Sequence, residues 1–382
     1  MKRVPLAWYN LLRDRTRLTV AIFGVAFAVL LIFMNLGFLG ALIATATNVY
    51  TQLNAELFLI SPQSLELSST EPFPRERLYQ AGGIAGVKQV MPLYTDYILW
   101  RNPETRISRA MFVYGINPED PVFLMPELQR PETIEQLQRP NTVLFDRLSR
   151  PEFGPQTPGL ETEADRRRVV IGGQYTLGGG FAADGTVIMS DQNFRRFLAP
   201  RPLDTINLGL IQLQPGAVPE RVAAAMRSQL PEDVLVLTKE QIIARDSRFW
   251  IQTTSIGFIF GLGVIVSLVV GVVIVYQILY SDIRDHLREY ATLKAMGYSG
   301  RYLFIVVLQE SVLLALMGYV PGLVVSLGLY TLTVTATAGS LPITMTGFRV
   351  VFVLALTILM CGLSGLISVR RAVTADPAEV FG

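Results

Sequence analysis

Residues able to do chemistry are few in this chain, and they lie far apart. Among 382 residues there is one histidine, His286, and one cysteine, Cys361. One cysteine forms no intramolecular disulfide. One histidine all but excludes a histidine-based metal site or a Ser-His-Asp triad in the polar segment 45–250. The run Gly178-Gly179-Gly180 invites a phosphate-loop reading, but no Lys-Ser/Thr pair follows and no helix signal opens after it, so it reads as a tight turn. No GxxxxGK[ST] occurs anywhere, so the chain has no Walker-type ATP site of its own and no cofactor site is expected in it. The carboxylates of 45–250 show no pairing suited to acid–base catalysis, which weighs against a membrane-anchored enzyme.

Two places remain. The first is Glu310, the one charge inside an otherwise apolar stretch; a carboxylate there is a functional candidate. It lies about two helical turns from the end of that stretch, which favours a structural partner over an ion path. The second is Tyr276–Tyr298, YQILYSDIRDHLREYATLKAMGY. As a helix from about Asp282, it aligns Ile283, Leu287, Tyr290 and Ala291 in an apolar stripe. Asp282 and Asp285 fall in its first turn and Lys294 near its last, which suits the helix dipole, and Gly297 is a stop signal. The segment has three acids (Asp282, Asp285, Glu289) against three bases (Arg284, Arg288, Lys294). That balance suits a protein groove better than a lipid surface.

The elements that must position these residues are largely apolar. The composition is 51% hydrophobic and 17% charged, unevenly spread. Residues 45–250 carry 24 acids against 21 bases and read as ordinary globular protein, whereas the rest carries 12 bases against 7 acids. No basic surface suggests nucleic acid. Four stretches are long and apolar enough to cross a bilayer as helices: Leu18–Ala44, Ile251–Leu279, Tyr302–Thr333 with a Pro321-Gly322 break, and Val350–Val369. The first is too long for a cleavable signal peptide and lacks a clean small-x-small end. Val4–Arg17 reads as an interfacial helix with Trp8, Leu11 and Leu12 on one face. Small residues recur at four-residue spacing in Gly257/Gly261, in Gly263/Ser267/Gly271 and in Gly318/Gly322/Ser326, a pattern that lets helices approach closely in lipid.

Orientation follows the basic flanks. Lys2, Arg3, Arg13, Arg15 and Arg17 precede the first stretch; Arg284, Arg288, Lys294 and Arg301 lie between the second and third; Arg370 and Arg371 follow the fourth. Both termini and the loop 280–301 are therefore expected in the cytoplasm, with 45–250 and the short loop 334–349 outside. Within 45–250, strands are expected at Glu56–Ile60, Val90–Trp100, Arg109–Ile116, Val169–Leu177, Thr186–Ser190, Thr205–Leu213 and Val234–Thr238. Helices are expected at Arg75–Gln80, Thr133–Gln138, Gln192–Phe197 and Pro219–Leu230, with loops or a subdomain boundary near 117–131 and 150–160. Thr45–Asn54 and Lys239–Trp250 contain no Gly or Pro and would continue the adjoining spans outward as helical stalks. The expected fold is thus a membrane α-helical protein of four transmembrane helices, with a large α/β extracytoplasmic domain inserted between the first and second.

At the stretch Tyr290–Tyr298, YATLKAMGY, the sequence resembles the coupling region of permeases in the MacB/FtsX-like superfamily of ABC systems, and DevC-type permeases most of all. Arg17–Leu42 with its FMNLGF, Leu177–Asp191 (LGGGFAADGTVIMSD) and Arg370–Val380 (RRAVTADPAEV) are similar as well. The resemblance implies a homodimeric, non-catalytic permease served by two copies of a separate ABC ATPase subunit, which binds the ATP and magnesium. MacB carries its ATPase fused before the first span; the residues ahead of Leu18 leave no room for one. It implies a cell inner membrane location, a periplasmic membrane fusion adaptor and a TolC-like outer-membrane duct. Asp282, Ile283, Asp285, His286, Leu287, Arg288, Glu289, Tyr290, Leu293 and Lys294 would be the ATPase-coupling residues, with Glu310, Gly257, Gly261, Gly318 and Gly322 the intramembrane candidates. The implied work is mechanotransmission: ATP-driven motion carried to the outer domain to export an amphiphile such as a glycolipid. The alternative is an FtsX-like regulator of a periplasmic cell-wall hydrolase.

The topology is testable by single-cysteine labelling in a Cys361→Ser background. Asp120→Cys and Leu160→Cys should react with an impermeant maleimide from outside, and His286→Cys should be protected in intact cells. Labelling of position 286 from outside would reverse the orientation.

Overall fold

The computed structural model describes residues 15–178, 183–198, 204–285, 292, 296, 299–337, 339 and 341–374. The interfacial helix expected over Val4–Arg17 lies outside these residues up to position 14, as do Gly179, Gly180 and the tail beyond Thr374. In chain order the elements are α1 (Arg15–Gln52), β1 (Leu57–Ile60), β2 (Phe73–Pro74), α2 (Glu76–Gly82), β3 (Val87–Arg101), β4 (Ser108–Ile116), α3 (Pro131–Gln138), β5 (Thr142–Asp146), β6 (Glu161–Ala164), β7 (Arg167–Tyr175), β8 (Thr186–Ser190), α4 (Asp191–Phe197), β9 (Thr205–Ile206), β10 (Leu208–Leu213), α5 (Pro219–Gln229), β11 (Leu235–Thr238), α6 (Lys239–Gln252), α7 (Ser255–Asp285), α8 (Gly300–Ala336) and α9 (Gly347–Thr374). They fall into two compact units. One comprises Met1–Gly40, Ser255–Thr335 and Ile343–Gly382; the other comprises Ala41–Thr254 and Ala336–Pro342.

The first unit is helical. Helices α1, α7, α8 and α9 are each long and apolar enough to cross a membrane. Two boundaries differ from the sequence reading. Pro321-Gly322 does not break α8, which runs unbroken from Gly300 to Ala336. A broken ladder in lipid would leave backbone groups with no water to bind, so the helix continues and loses only the bond that proline cannot donate. Likewise no new helix starts at Asp282, because α7 continues through it to Asp285.

Helix contacts in this unit are made by small residues and by hydroxyls. A Cβ on Gly318 would collide with Val25, and one on Gly322 would lie 2.8 Å from the Ala26 carbonyl, so α8 meets the backbone of α1 at these two glycines. Tyr319 Oη donates to the Val350 carbonyl at 2.8 Å, Ser364 Oγ to that of Val272 at 2.9 Å, and Tyr330 Oη to that of Phe33. Such bonds inside a membrane contribute about 0.6 kcal/mol each on average. Here they tie α8 to α9, α9 to α7 and α8 to α1.

The second unit is built on a nine-stranded sheet in the order β11-β1-β10-β3-β4-β8-β5-β7-β6. An additional pairing, Trp100 with Ala164 and Arg101 with Glu163, joins β3 back to β6. Strands β3, β4, β8, β5, β7 and β6 therefore close into a six-stranded barrel. Alternate residues of each strand fill it, among them Trp100, Met111, Val143, Phe145, Ile171 and Val187, all fully buried. Outside the barrel, α2 and α5 cover one face of the sheet through Leu78, Val222 and Met226. The end of α1 and α6 cover the other through Tyr50, Leu53 and Ile242. Neither β5 nor β6 is in the sequence reading. Thr142–Asp146 is a five-residue strand buried on both faces, with no alternation to reveal it, and Glu161–Ala164 is polar and is a strand only because it has a partner.

α1 is one helix from Arg15 to Gln52, and Lys239–Trp250 is helical as well, within α6. α6 stops at Gln252 and α7 starts at Ser255, with Thr253 donating its N–H to Phe249 and Thr254 Oγ1 turned back onto Trp250 at 2.6 Å. Paired threonine hydroxyls compete with the helical ladder and mark the break.

Trp100 is the keystone of the barrel: it is fully buried, its Nε1 donates to Phe153 O at 3.2 Å, and its ring meets Phe145 edge-on at 5.1 Å. Trp100→Ala should cost about 3–5 kcal/mol. In pulse proteolysis of the full chain, the 45–250 segment of this variant should become cleavable at lower urea, while the helical circular-dichroism signal of the spans persists. Unchanged protection would show that barrel closure does not depend on this ring.

Candidate functional site

The sequence directs attention first to the segment that follows α7. Asp282 lies on the last turn of α7 and pairs with Arg17 on the first turn of α1 at 3.4 Å, both side chains largely covered. Ile283 is buried against Val307 of α8 and Val369 of α9, with Tyr302 and Phe304 beside it. Ile283 thus holds the segment to its own helix bundle, and Asp282 joins it to α1. Further along, Met296 N–H donates to the Thr292 carbonyl at 2.9 Å, one α-helical turn, and Met296 is exposed. His286, Leu287, Arg288, Glu289, Tyr290, Leu293 and Lys294 lie outside the described residues, as does the side chain of Asp285.

The intramembrane candidates fall in different places. Glu310 is buried on α8, next to Ser311, whose hydroxyl donates to the Leu308 carbonyl at 2.8 Å. Gly365 of α9 packs close to this point, since a Cβ there would lie 3.0 Å from Ser311 Oγ. Gly318 and Gly322 meet α1 as described above. In the Gly263/Ser267/Gly271 row, added Cβ atoms would strike Asn35 at Gly263 and Met360 at Gly271, so this row faces α1 and α9. Gly257 is buried, and a Cβ on Gly261 would meet nothing within 4 Å of its own chain.

In the second unit the structure brings together a cluster that sequence reasoning missed. α6 opens with a capping box, Thr238 with Gln241, and buries the face Ile242, Asp246, Trp250. Asp246 is fully buried. Its Oδ2 accepts the Tyr50 hydroxyl of α1 at 2.6 Å and the Leu67 backbone N–H at 3.1 Å. Its Oδ1 accepts no hydrogen bond and faces Arg245 Nη1 at 3.5 Å. Glu66, also buried, is held by Ser68 through backbone N–H and hydroxyl. Two turns earlier on α6, Lys239 Nζ donates to the Leu53 carbonyl at 3.0 Å, a cation on a carbonyl just beyond the C-terminus of α1. The end of α1 and α6 are thus clasped at two points. The signal available in the sequence was an acid on the apolar stripe of an amphipathic segment, at four-residue spacing between Ile242 and Trp250.

Burial dominates the electrostatics of this clasp. It pushes the Asp246 carboxyl up to about 6, and Glu66 adds to the rise. The Tyr50 hydroxyl, Arg245 and the Leu67 N–H oppose it. Burial also lowers the Lys239 ammonium, against the pull of Glu56 and Glu240. Among the described residues no three His, Cys, Asp or Glu side chains come together to hold a metal. The arrangement joins the end of α1 to α6 through a buried hydroxyl–carboxylate bond and an ammonium on a carbonyl.

Residues 254–377 match the FtsX-like permease C-terminal family. Among solved structures, the periplasmic region of MacB from Actinobacillus actinomycetemcomitans is similar at 10% identity and a TM-score of 0.36, over 51% of this chain and 94% of that one. The extracellular domain of YknZ, a noncanonic ABC-type transporter from Gram-positive bacteria, is similar at 14% identity and a TM-score of 0.34, over 48% of this chain and 100% of that one. No curated protein matches the chain.

The clasp has a pH signature. Because the folded-state pKa of Asp246 is raised, the native state binds the proton more tightly than the unfolded chain does. The contribution of this group to stability is present below the unfolded value near 4 and is lost as pH rises to about 6. Asp246→Asn does not titrate, so the melting temperature of the variant relative to wild type should climb between about pH 4 and 6 and level off above 7. A difference that is flat across that range would show that Asp246 is not the titrating group. Tyr50→Phe, which leaves Oδ2 with one donor, should cost about 1–3 kcal/mol.

Proposed function

We propose that this chain, an FtsX-like permease by the match of its residues 254–377, is the membrane subunit of an ABC exporter that works by transmitting force. Its four long apolar helices make it a multi-pass membrane protein. ATP and magnesium are bound by a separate ATPase subunit, in two copies on a homodimer of this chain, at an inner membrane. The segment Asp282–Ala295 receives the motion of that partner. α1 and α6 carry it to the outer domain, which moves an amphiphile toward a periplasmic adaptor and a TolC-like duct.

One observation carries this reading. α1 is a single helix of 38 residues, about 57 Å long at 1.5 Å per residue. Arg17, on its first turn, pairs with Asp282 beside the proposed docking segment, and Tyr50, on its last, bonds Asp246. One continuous helix thus runs from the partner of Asp282 to the partner of Asp246, which supports α1 as the element that relays the motion. The mixed charge of the 282–294 segment supports a protein partner there.

The test is docking. Leu287 and Tyr290 are the apolar anchors of the segment, and truncation of such anchors typically costs about 2 kcal/mol or more. Leu287→Ala with Tyr290→Ala should reduce recovery of the ATPase subunit on the immobilised permease at least about tenfold. Expression and dimer content should be unchanged. The permease alone should hydrolyse no ATP above background. Undiminished recovery in the double variant would place docking elsewhere; co-purification of a cell-wall hydrolase in place of an adaptor and duct would favour a regulator.

A further inference from the structure

Barrel closure leaves a cleft at one end of the outer domain that no part of the force-transmission scheme uses. It encloses about 540 Å³ between the β3–β4 hairpin and the β6–β7 turn, and its walls include Leu99, Arg101, Arg106, Glu163, Asp165 and Arg166. We propose that this cleft binds the anionic headgroup of an amphiphile, with the apolar tail laid along the outward face of β3.

The charge balance of the cleft favours an anion. Arg101 and Arg106 both lean on one carboxylate, Glu163, at 2.6 and 3.6 Å, so two guanidinium groups share one negative charge. Asp165 is fixed to the sheet, its Oδ1 accepting the Leu99 N–H at 3.0 Å and its own N–H donating to Leu99 O at 3.1 Å, and its carboxylate still counts, so the cleft sets three guanidinium groups against two carboxylates. Arg166 has no ion pair among the described residues. Guanidinium forks at two sides of a cavity of this size suit a phosphate or carboxylate head. The walls are fixed by tight turns: Asp165 (φ 47°) and Arg166 (φ 63°) are the two central residues of the β6–β7 hairpin, whose two-residue turn requires positive φ at both.

The tail path follows from strand geometry. Residues two apart on β3 point to the same side, and Tyr97, Leu99 and Arg101 form such a row. Tyr97 and Leu99 are 38% and 56% exposed, so the row reads as two apolar groups ending in a cation. A peptide fits less well. β3 is paired along this length with β4, and with β6 at its end, and the Leu99 backbone is spent on Asp165. On the edge of β3 away from β4, the N–H groups of Thr95, Tyr97 and Leu99 are taken by the side chains of Asn207, Asp96 and Asp165, which disfavours β-addition. What the cleft offers is guanidinium groups and apolar surface, the two halves of an anionic amphiphile.

This proposal names the substrate class for the export reading and rests on it for its purpose, but binding is measured on the chain alone. The full chain in phosphatidylcholine nanodiscs is titrated calorimetrically with hexyl phosphate, inorganic phosphate, hexyl glucoside and an acidic hexapeptide. Hexyl phosphate should bind saturably, at least tenfold tighter than the other three. Arg106→Ala with Arg166→Ala should weaken it at least tenfold, and Arg166→Lys only a few-fold. Leu99→Ser should weaken hexyl phosphate several-fold while leaving inorganic phosphate unchanged, a split that separates a tail contact from a free-anion site. Melting temperatures matching wild type establish that the variants fold. No saturable binding, binding undiminished by the double arginine variant, or tighter binding of the hexapeptide would each overturn the proposal. Recovery of the ATPase subunit through residues 287 and 290 is independent of every one of these results, so a failure here is distinguishable from a failure of the export reading.

Discussion

A helix of 38 residues keeps its course only where nothing along it yields, and the helices of the first unit are packed so as to support α1. It contains no proline, but Gly24, Gly37 and Gly40 would each loosen it by about 1 kcal/mol relative to alanine in water. Each is backed by a neighbouring side chain, Ile274, Tyr330 and Arg349 respectively. Tyr330 also donates to the Phe33 carbonyl, one turn before Gly37. The glycines of α8 serve the same end from the other side. Because Gly318 and Gly322 lack side chains, Val25 and Val29 seat directly against the α8 backbone. Rigidity in α1 is therefore supplied by the helices around it as much as by its own ladder.

Two aspartates of the second unit, Asp146 and Asp246, are fully buried among the described residues, and comparing them shows why one suits a clasp. Asp146 accepts the N–H groups of Leu148, Leu177 and Gly178 and the Thr186 hydroxyl. Burial still raises its carboxyl, but four donors spread over both oxygens oppose the rise. It pins β5 to the end of β7 and serves the barrel. Asp246 has two donors on one oxygen and only a distant guanidinium at the other. A buried carboxylate with an incomplete set of donors is costly to keep and easy to change. Such a group can hold α1 to α6 firmly in one protonation state and less firmly in another, which a fully satisfied network such as that of Asp146 cannot do.

Barrel closure and the cleft have a common origin. The β3–β6 pairing that buries Trp100 against Ala164 on the inside also sets Arg101 beside Glu163 on the outside, because neighbouring residues of a strand face opposite ways. The same two-residue register thus seals a hydrophobic core and positions the first guanidinium of the cleft. Continuing β6 past that register, the Asp165–Arg166 turn supplies the second wall.

How much of this was legible beforehand depends on the range of the physics. Four membrane helices, an inserted domain with strands and helices, and the continuation of α1 beyond the span follow from apolar length and the absence of breakers, which are local properties. So did the Gly318/Gly322 face, since small residues at four-residue spacing lie on one side of a helix wherever it packs. What required the tertiary structure was everything decided by a distant partner. ETEA is a strand only beside β3 and β7; Pro321 leaves α8 intact because of its surroundings. Asp246 looks like an ordinary polar residue until Tyr50, 196 positions away, bonds to it. The sequence by itself determined which segments are helical and apolar, because hydrogen-bond periodicity and hydropathy act over a few residues. The clasp, the closed barrel and the cleft were decided by contacts between residues far apart in the chain, whose pairing no local pattern encodes.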